Sequence, residues 1–524
     1  MLELEKKKFL SHVYILGFFT VISKIFGLIR DRLLAAHFGA HSAELDAYYA
    51  AFRIPDFIYN LIVLGTVSAA FVPVFLSYIG KRRTKEAYDI ASSVMNVTTV
   101  IMAALAAVAF VFAEPLTKLI APGFSDPETI TLTVRLMRWM LVSPILFGIA
   151  AVLSGILNAY RRFIVYSLSS ALYNVGIIVG IVFLVPHFGP QALAFGVVLG
   201  AFFNLVVQIP SVMMVGYKWR PRFDLTSPGF IKVMKLMFPR MLGFAALQMS
   251  LFVTTAIATT LQIGSTTVYN ITLNLQYFPV TIVGVSIATA IFPVLALTAS
   301  KQDVVGFREN FSMSFRKIIF FVVPMSILML LFRAQIIRIL FGTGNFTWED
   351  TVITLQTLGF FTISLFAQAL IPLLTRAFYS VQNTRIPVIV GVTSMIMNII
   401  LNFIFGPTMG VAGLALAFTI ANIFNAAVLL IILRYQVGSL DDQHITVSSF
   451  KTIIASLAMG IAAYGMLYVG ALFLNTHTYA GLIAQVGLAG IVGVGVFVAL
   501  QYVMKSEELA VYSVFLRKKV KARS

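Results

Sequence analysis

Runs of about 20 apolar residues, separated by short polar breaks, recur along the chain. A run of that length crosses the hydrocarbon core of a bilayer as an α-helix, because a helix satisfies its own backbone polar groups where no water can. The pattern predicts an all-α integral membrane protein of about 14 transmembrane helices. The spans fall near 13–36, 50–79, 90–113, 131–158, 163–185, 190–215, 233–261, 267–299, 316–335, 350–381, 387–405, 410–435, 450–474 and 480–503. The breaks alternate in character. One set is basic, as at Lys81, Arg82, Arg83 and Lys85, at Arg161 and Arg162, and at Lys218, Arg220 and Arg222. The other set is nearly free of Lys and Arg and carries Glu44, Asp46, Glu114, Asp126, Glu128, Glu349 and Asp350. Lys and Arg collect on the cytosolic side of membrane proteins, so both termini are expected there. The segment Met1–Lys8 is charged and runs directly into an apolar span without a small-residue cleavage site, and so reads as a cytosolic tail.

Composition agrees with the pattern. Apolar residues make up 59% of the 524 positions and charged residues 11%, too few to cover a soluble protein of this size. The net charge of +18 would point to nucleic acid in a soluble protein; here it follows from the one-sided basic loops. There is no cysteine, which excludes disulfides, thiolate metal sites and thiol catalysis. The histidines show no ligand spacing, so no metal site is expected. No nucleophile–base set or phosphate-binding Gly-rich loop is present, and Gly342–Gly344 reads as a turn. A non-enzyme that does not hydrolyse ATP is expected.

Two stretches about 220 residues apart look alike. Ala69–Val74 (AAFVPV) parallels Thr289–Val294 (TAIFPV), and Ala192–Asn204 parallels Gly413–Asn425. The offset in helices is even, so the repeat is parallel. It predicts a six-helix lobe over 1–218, a second over 219–438, and two further helices with a basic tail over 439–524. Two such lobes would enclose a central site.

Charge inside a span is the main candidate for chemistry. Ser23, Lys24, Gly27, Arg30 and Asp31 share roughly a third of the first helix's circumference, given ~100° per residue. A charge at mid-bilayer costs about 2.5–3.5 kcal/mol or more, so this stripe is expected to face a polar interior. Two cations and one carboxylate leave positive charge over, which suits an anion such as a diphosphate. The competing reading is an ion pair of Arg30 with Asp31 or Asp46 that only fixes packing. Asp46 reads as a gate carboxylate or as a solvated loop acid capping the second helix. Arg53, just before Pro55, reads as a cavity cation or one that snorkels to the interface. Asn174, Asn204, Asn270, Asn398 and Asn425 read as interhelical hydrogen-bonding residues. Pro55, Pro73, Pro239, Pro279, Pro293 and Pro387 lie at or inside spans as candidate kinks.

The stretch Ser23–Pro73, with Ala121–Asp126 (APGFSD), Gly155–Ala159 (GILNA), Leu340–Thr347 (LFGTGNFT) and Ala377–Asn383 (AFYSVQN), resembles the MurJ/MviN lipid II flippases of the multidrug/oligosaccharidyl-lipid/polysaccharide exporter superfamily. The resemblance runs in family order along nearly the whole chain. It implies a fourteen-helix fold, alternating access, and transport of a polyprenyl-diphosphate-linked peptidoglycan precursor from the inner to the outer leaflet of the bacterial inner membrane. It also implies that helices thirteen and fourteen hold the lipid tail. Matched position by position, the family's cavity arginines fall on Lys24, which keeps charge without the planar fork, and on Arg30; a further basic position falls on Arg53, and the family's aspartate before the second helix on Asp46. Asn274 and Gln276 match the cavity helix of the second lobe. Two family arginines are replaced, by Tyr59 and Asn274, and an acidic position by Leu64, which marks a divergent member. Substrate contacts are therefore expected at Lys24, Arg30, Arg53, Asn274 and Gln276, with Asp31 and Asp46 as gate or ion-pair residues. No cofactor is expected; the membrane potential or a monovalent ion would drive the cycle. The partners expected are the lipid-linked glycan, membrane lipids and cell-wall synthesis proteins. Two alternatives stay open: export of another lipid-linked oligosaccharide or cation/drug antiport, and a non-transporting scaffold for envelope synthesis.

Overall fold

A computed structural model describes residues 2–62, 70–476 and 478–510, and these are helical nearly throughout, with no strand among them. The chain forms two compact units, Met1–Asn270 and Ile271–Ser524. The first contains α1 (Leu2–Phe38), α2 (Ala43–Ala51), α3 (Arg53–Tyr59), α4 (Val72–Gly80), α5 (Thr84–Val111), α6 (Ala113–Ile120) and α7 (Pro127–Met140). It continues through α8 (Val142–Ala159), α9 (Phe163–Val179), α10 (Val185–Phe188), α11 (Ala192–Val206), α12 (Gln208–Met214) and α13 (Pro228–Thr259). Helix α14 (Ser265–Pro279) begins in the first unit and ends in the second. The second unit then holds α15 (Ser286–Ser300), α16 (Val304–Leu331), α17 (Arg333–Phe341), α18 (Trp348–Ile363) and α19 (Leu365–Ser380). Last come α20 (Arg385–Met409), α21 (Val411–Val437), α22 (Asp442–Phe473) and α23 (Tyr479–Val503).

Among the described residues nine helices are long and apolar enough to cross a membrane, or ten if the bent pair α18–α19 counts as one span. The difference from 14 has identifiable causes. Ile164–Met214 counts once but covers the expected fifth and sixth spans. Part of the second span lies outside the described residues. Within the seventh, Gln248–Thr259 is a shorter apolar helical stretch.

Several spans are broken where the sequence makes them break. Helices α2 and α3 meet at Phe52, α5 and α6 at Phe112, α7 and α8 at Leu141, and α11 and α12 at Val207. Each junction stands three residues before a proline: Pro55, Pro115, Pro144 and Pro210. The pyrrolidine ring clashes with the carbonyl four residues earlier and offers it no N–H, so the helix turns there. At the third junction the Ser143 hydroxyl replaces the missing donor, reaching Met140 O at 2.7 Å.

The repeat seen in the sequence is also written in the backbone. Arg82 and Gln302 both adopt φ near +60°, as do Arg161 and Gln382, each two residues past a helix end. The residue after each closes the turn, Arg83 N on Tyr78 O at 3.0 Å, Asp303 N on Thr298 O at 3.0 Å, Arg162 N on Leu157 O at 2.8 Å and Asn383 N on Phe378 O at 2.9 Å. These are left-handed helix stops built without glycine, in a conformation that costs a side chain energy. Glycines recur at the same spacing, Gly189 with Gly410 and Gly216 with Gly438, all at positive φ.

Candidate functional site

The charged stripe on α1 packs on α9 through polar atoms. Ser23 Oγ lies 3.0 Å from Ser170 Oγ, and Asn174 Nδ2 donates to Ser23 O at 3.3 Å. Arg30 is held by both helices. Its Nε and Nη2 donate to Asp31 Oδ1 at 2.9 and 2.7 Å, and its Nη1 donates to Asn174 Oδ1 at 3.1 Å. The Asp31 side chain is 1% exposed and that of Arg30 18%, so the pair is largely buried. Lys24 is half-buried within electrostatic range of Arg30 and Asp31. The stripe therefore carries an ion pair, as the packing reading requires, together with a second cation outside it.

Arg53 opens α3. Its Nε donates to Thr255 Oγ1 at 2.6 Å and its Nη2 to Asn270 Oδ1 at 2.8 Å. Both acceptors are preset by their own helices, Thr255 Oγ1 donating to Leu251 O at 2.8 Å and Asn270 Nδ2 to Thr266 O at 2.7 Å. They are neutral, so Arg53 is hydrogen-bonded without being neutralised by its partners. This places Arg53 among interior polar groups rather than at an interface.

Asp46 lies inside α2, where Ser42 is the cap and accepts from Leu45 N at 3.1 Å. The Asp46 carboxylate, 3% exposed, instead caps α14 from outside. It accepts from Gly264 N at 2.7 Å, Thr267 N at 2.8 Å and Thr267 Oγ1 at 2.8 Å. Negative charge at a helix N-terminus is favourable because the first backbone N–H groups there lack intrahelical partners. Gly264 makes this contact possible. Its φ is +92°, and a Cβ would sit 2.5 Å from Ala40 O.

Two groups near these cations escaped the sequence reading. Asp56, one turn after Arg53, lies within electrostatic range of both Arg53 and Arg30. Tyr49 likewise feels Arg30, Asp31 and Arg53, and its hydroxyl is buried without a hydrogen-bond partner among the described residues. Neither sits on the α1 stripe: Tyr49 lies in α2 and Asp56 in α3. The first unit thus gathers three cations, Lys24, Arg30 and Arg53, around two carboxylates, Asp31 and Asp56. The remaining candidates fall in the second unit. Asn274 is exposed, whereas Gln276 is fully buried and accepts from Gln368 Nε2 at 2.7 Å. Tyr59 packs on Phe147 with ring centroids 4.8 Å apart.

The family model described as "Lipid II flippase MurJ" matches residues 34–485. The chain belongs to the MurJ lipid II flippase family. Among its relatives, the probable lipid II flippase MurJ of Buchnera aphidicola subsp. Schizaphis graminum is 30% identical over 460 residues, covering 86% of this chain and 88% of that one. That of Vibrio cholerae serotype O1 is 29% identical over 508 residues, covering 94% of each. A solved lipid II flippase MurJ in an inward closed conformation aligns with TM-score 0.77 and 25% identity over 94% of this chain and 98% of that one. An inward-facing multidrug MATE transporter aligns with TM-score 0.66 at 15% identity over 80% and 96%, a likeness of fold alone. The MurJ family and the apolar helices together make this a multi-pass membrane protein.

Proposed function

We infer that the chain is a lipid II flippase, a transporter and not an ATP-hydrolysing enzyme. The family match over residues 34–485 carries this reading, and the charge of the first unit agrees with it. A cation or drug antiporter needs carboxylates to hold its cargo, whereas here three cations face two carboxylates. Lys24, Arg30 and Arg53 are proposed to bind the diphosphate, the two arginines offering planar forks and the lysine a point charge. Tyr49 is proposed to add a neutral donor, since its hydroxyl has no partner among the described residues to give up. The exposed Asn274 is proposed to contact the head group, and Gln276 to act through its bond to Gln368. Asp31 is proposed as the counter-charge that substrate displaces from Arg30. Asp46 is proposed as a latch between α2 and the start of α14 that opens and closes during the cycle.

The protein is proposed to reside in the bacterial inner membrane with both termini cytosolic, its lobes 1–218 and 219–438 moving as alternating-access units and 439–524 as an appendix for the lipid tail. Coupling to the membrane potential or a monovalent ion is proposed as the energy source; one charge moved through 100 mV supplies about 2.3 kcal/mol. Cell-wall synthesis proteins are proposed as partners. Complementation of a flippase-depleted bacterial strain tests the function. Growth with normal lipid-linked precursor levels is expected, and continued precursor accumulation at full membrane abundance would refute it.

A further inference from the structure

Away from the charged stripe, the first unit contains an apolar crevice of about 600 Å³ bounded by α5, α8, α11 and α12. Its walls include Met95, Ile149, Leu153, Leu205 and Ile209. The segment 215–224 closes one end and is stitched along a single face of α5. Tyr88 Oη donates to Val215 O at 2.5 Å, Ser92 Oγ lies 3.0 Å from Tyr217 Oη, and Asp224 N donates to Ser93 Oγ at 3.2 Å. Asn96 holds the middle, its Nδ2 donating to the carbonyls of Arg220 and Arg222 at 2.9 Å each, while Trp219 Nε1 donates to Asn96 Oδ1 at 2.8 Å. Tyr88, Ser92 and Asn96, one turn apart on α5, and Ser93 beside them thus fix this strap in place.

The rim of the crevice is cationic. Arg220 and Arg222 share one carboxylate, Asp89, at 3.4 and 2.7 Å. Arg222 also reaches Asp224 at 3.3 Å. Lys218 lines the crevice, is exposed, and makes no hydrogen bond or ion pair among the described residues. Trp219 and Phe223 stand beside it, both more than half exposed, as amphipathic rings do at the headgroup level. An apolar slot with a surplus cation at its mouth matches one chemistry in a bilayer, an acyl chain ending in a net-negative headgroup.

We propose that this crevice is a binding site for an anionic phospholipid, with one acyl chain between α5, α8, α11 and α12 and the phosphate at Lys218. A zwitterionic headgroup brings its own cation to a rim already in positive surplus, so it gains less there. This site is independent of the α1 stripe and does not rest on the substrate's identity.

The three tryptophans make a direct test available. In a Trp139→Phe, Trp348→Phe protein, Trp219 is the only indole and lies on the crevice. The protein is reconstituted in phosphatidylcholine vesicles containing increasing fractions of phosphatidylglycerol brominated at mid-chain, or of phosphatidylcholine brominated likewise. Brominated phosphatidylglycerol is expected to quench Trp219 at a severalfold lower mole fraction. Lys218→Ala should reduce that preference about fivefold, the effect of one basic residue near a charged surface, and Lys218→Arg should keep it. Lys218 is exposed, so neither change touches packing. Equal quenching by the two lipids would mean bulk lipid only and overturn the site. A preference unchanged in Lys218→Ala would overturn the role of the rim.

Discussion

Replacing Arg30 by alanine tests the site and the fold together. The change removes three hydrogen bonds, two to Asp31 Oδ1 and one to Asn174 Oδ1. Taking one partner from a buried ion pair costs about 3–5 kcal/mol, and the 18% exposure of the Arg30 side chain places this pair near the lower figure. The sequence alone leads to the opposite expectation, that losing a cation from a cavity relieves desolvation and leaves the fold untouched; the buried Asp31 carboxylate reverses it. Substrate binding should suffer separately. A charge-assisted hydrogen bond is worth about 1.5–3 kcal/mol, or roughly 10- to 100-fold in affinity. The two losses come apart in an Arg30→Gln, Asp31→Asn protein, where two neutral side chains replace the pair and can still hydrogen-bond. Thermal stability in detergent should fall in Arg30→Ala and return in the double variant, while lipid II flipping, normalised to membrane abundance, stays lost in both. Flipping that returns together with stability would refute the anion site and leave the pair as a packing element.

Asp46→Ala should destabilise the first unit by about 2 kcal/mol, because the backbone N–H groups of Gly264 and Thr267 lose a buried acceptor, while Asp46→Asn keeps one; thermal unfolding of the two variants measures the difference. Lys24→Arg should match or exceed the parent in complementation, since it supplies a fork without adding charge. Cysteines placed at Arg83 and Lys301 should react only from the cytosol and ones at Asp126 and Thr476 only from outside, read with impermeant maleimides on intact cells and inverted vesicles. Deletion from Thr446 should leave a monodisperse core with impaired transport, and adding Arg316→Gln should raise its yield, because Arg316 loses Glu507 and Glu508, its partners at 2.7 and 2.9 Å; size-exclusion profiles decide both points.

Span positions, the repeat and the polar stripe were legible because each rests on a local rule. Twenty apolar residues specify a spanning helix wherever they occur. Where a helix breaks was legible only in part. Phe52, Phe112, Leu141 and Val207 each precede a proline by three residues, yet α16 and α17 part at Phe332, and α18 and α19 bend by 43° at Ser364, without one. Those breaks depend on packing. The partners of the charged residues were hardest to read. Arg30 with Asp31 is a neighbour pair that the sequence offers, but Asp46 with Gly264 and Thr267, and Arg53 with Thr255 and Asn270, join residues about 200 positions apart. Gln276 shows the same limit: its position on the helix says polar, and only packing shows that it is buried against Gln368.

The two arginines of the first unit differ in what an incoming phosphate must displace. Arg53 would exchange the Thr255 hydroxyl and the Asn270 carbonyl, neutral acceptors worth about 1 kcal/mol each, for a charged one worth two or three times as much. Arg30 would have to give up a carboxylate, and the exchange gains little until Asp31 has another source of positive charge. Lys24, seven residues earlier on α1 than Asp31, is within its electrostatic range and can supply that charge. A substrate that docks first on Arg53 and then draws Arg30 from Asp31 would therefore loosen the contact between α1 and α9, since Arg30 also holds Asn174. Binding at Arg53 would then supply most of the affinity, and binding at Arg30 would be the step that moves a helix. On the proposed binding mode the packing reading and the anion reading of the stripe are compatible: the ion pair that holds α1 would be the one a diphosphate has to break.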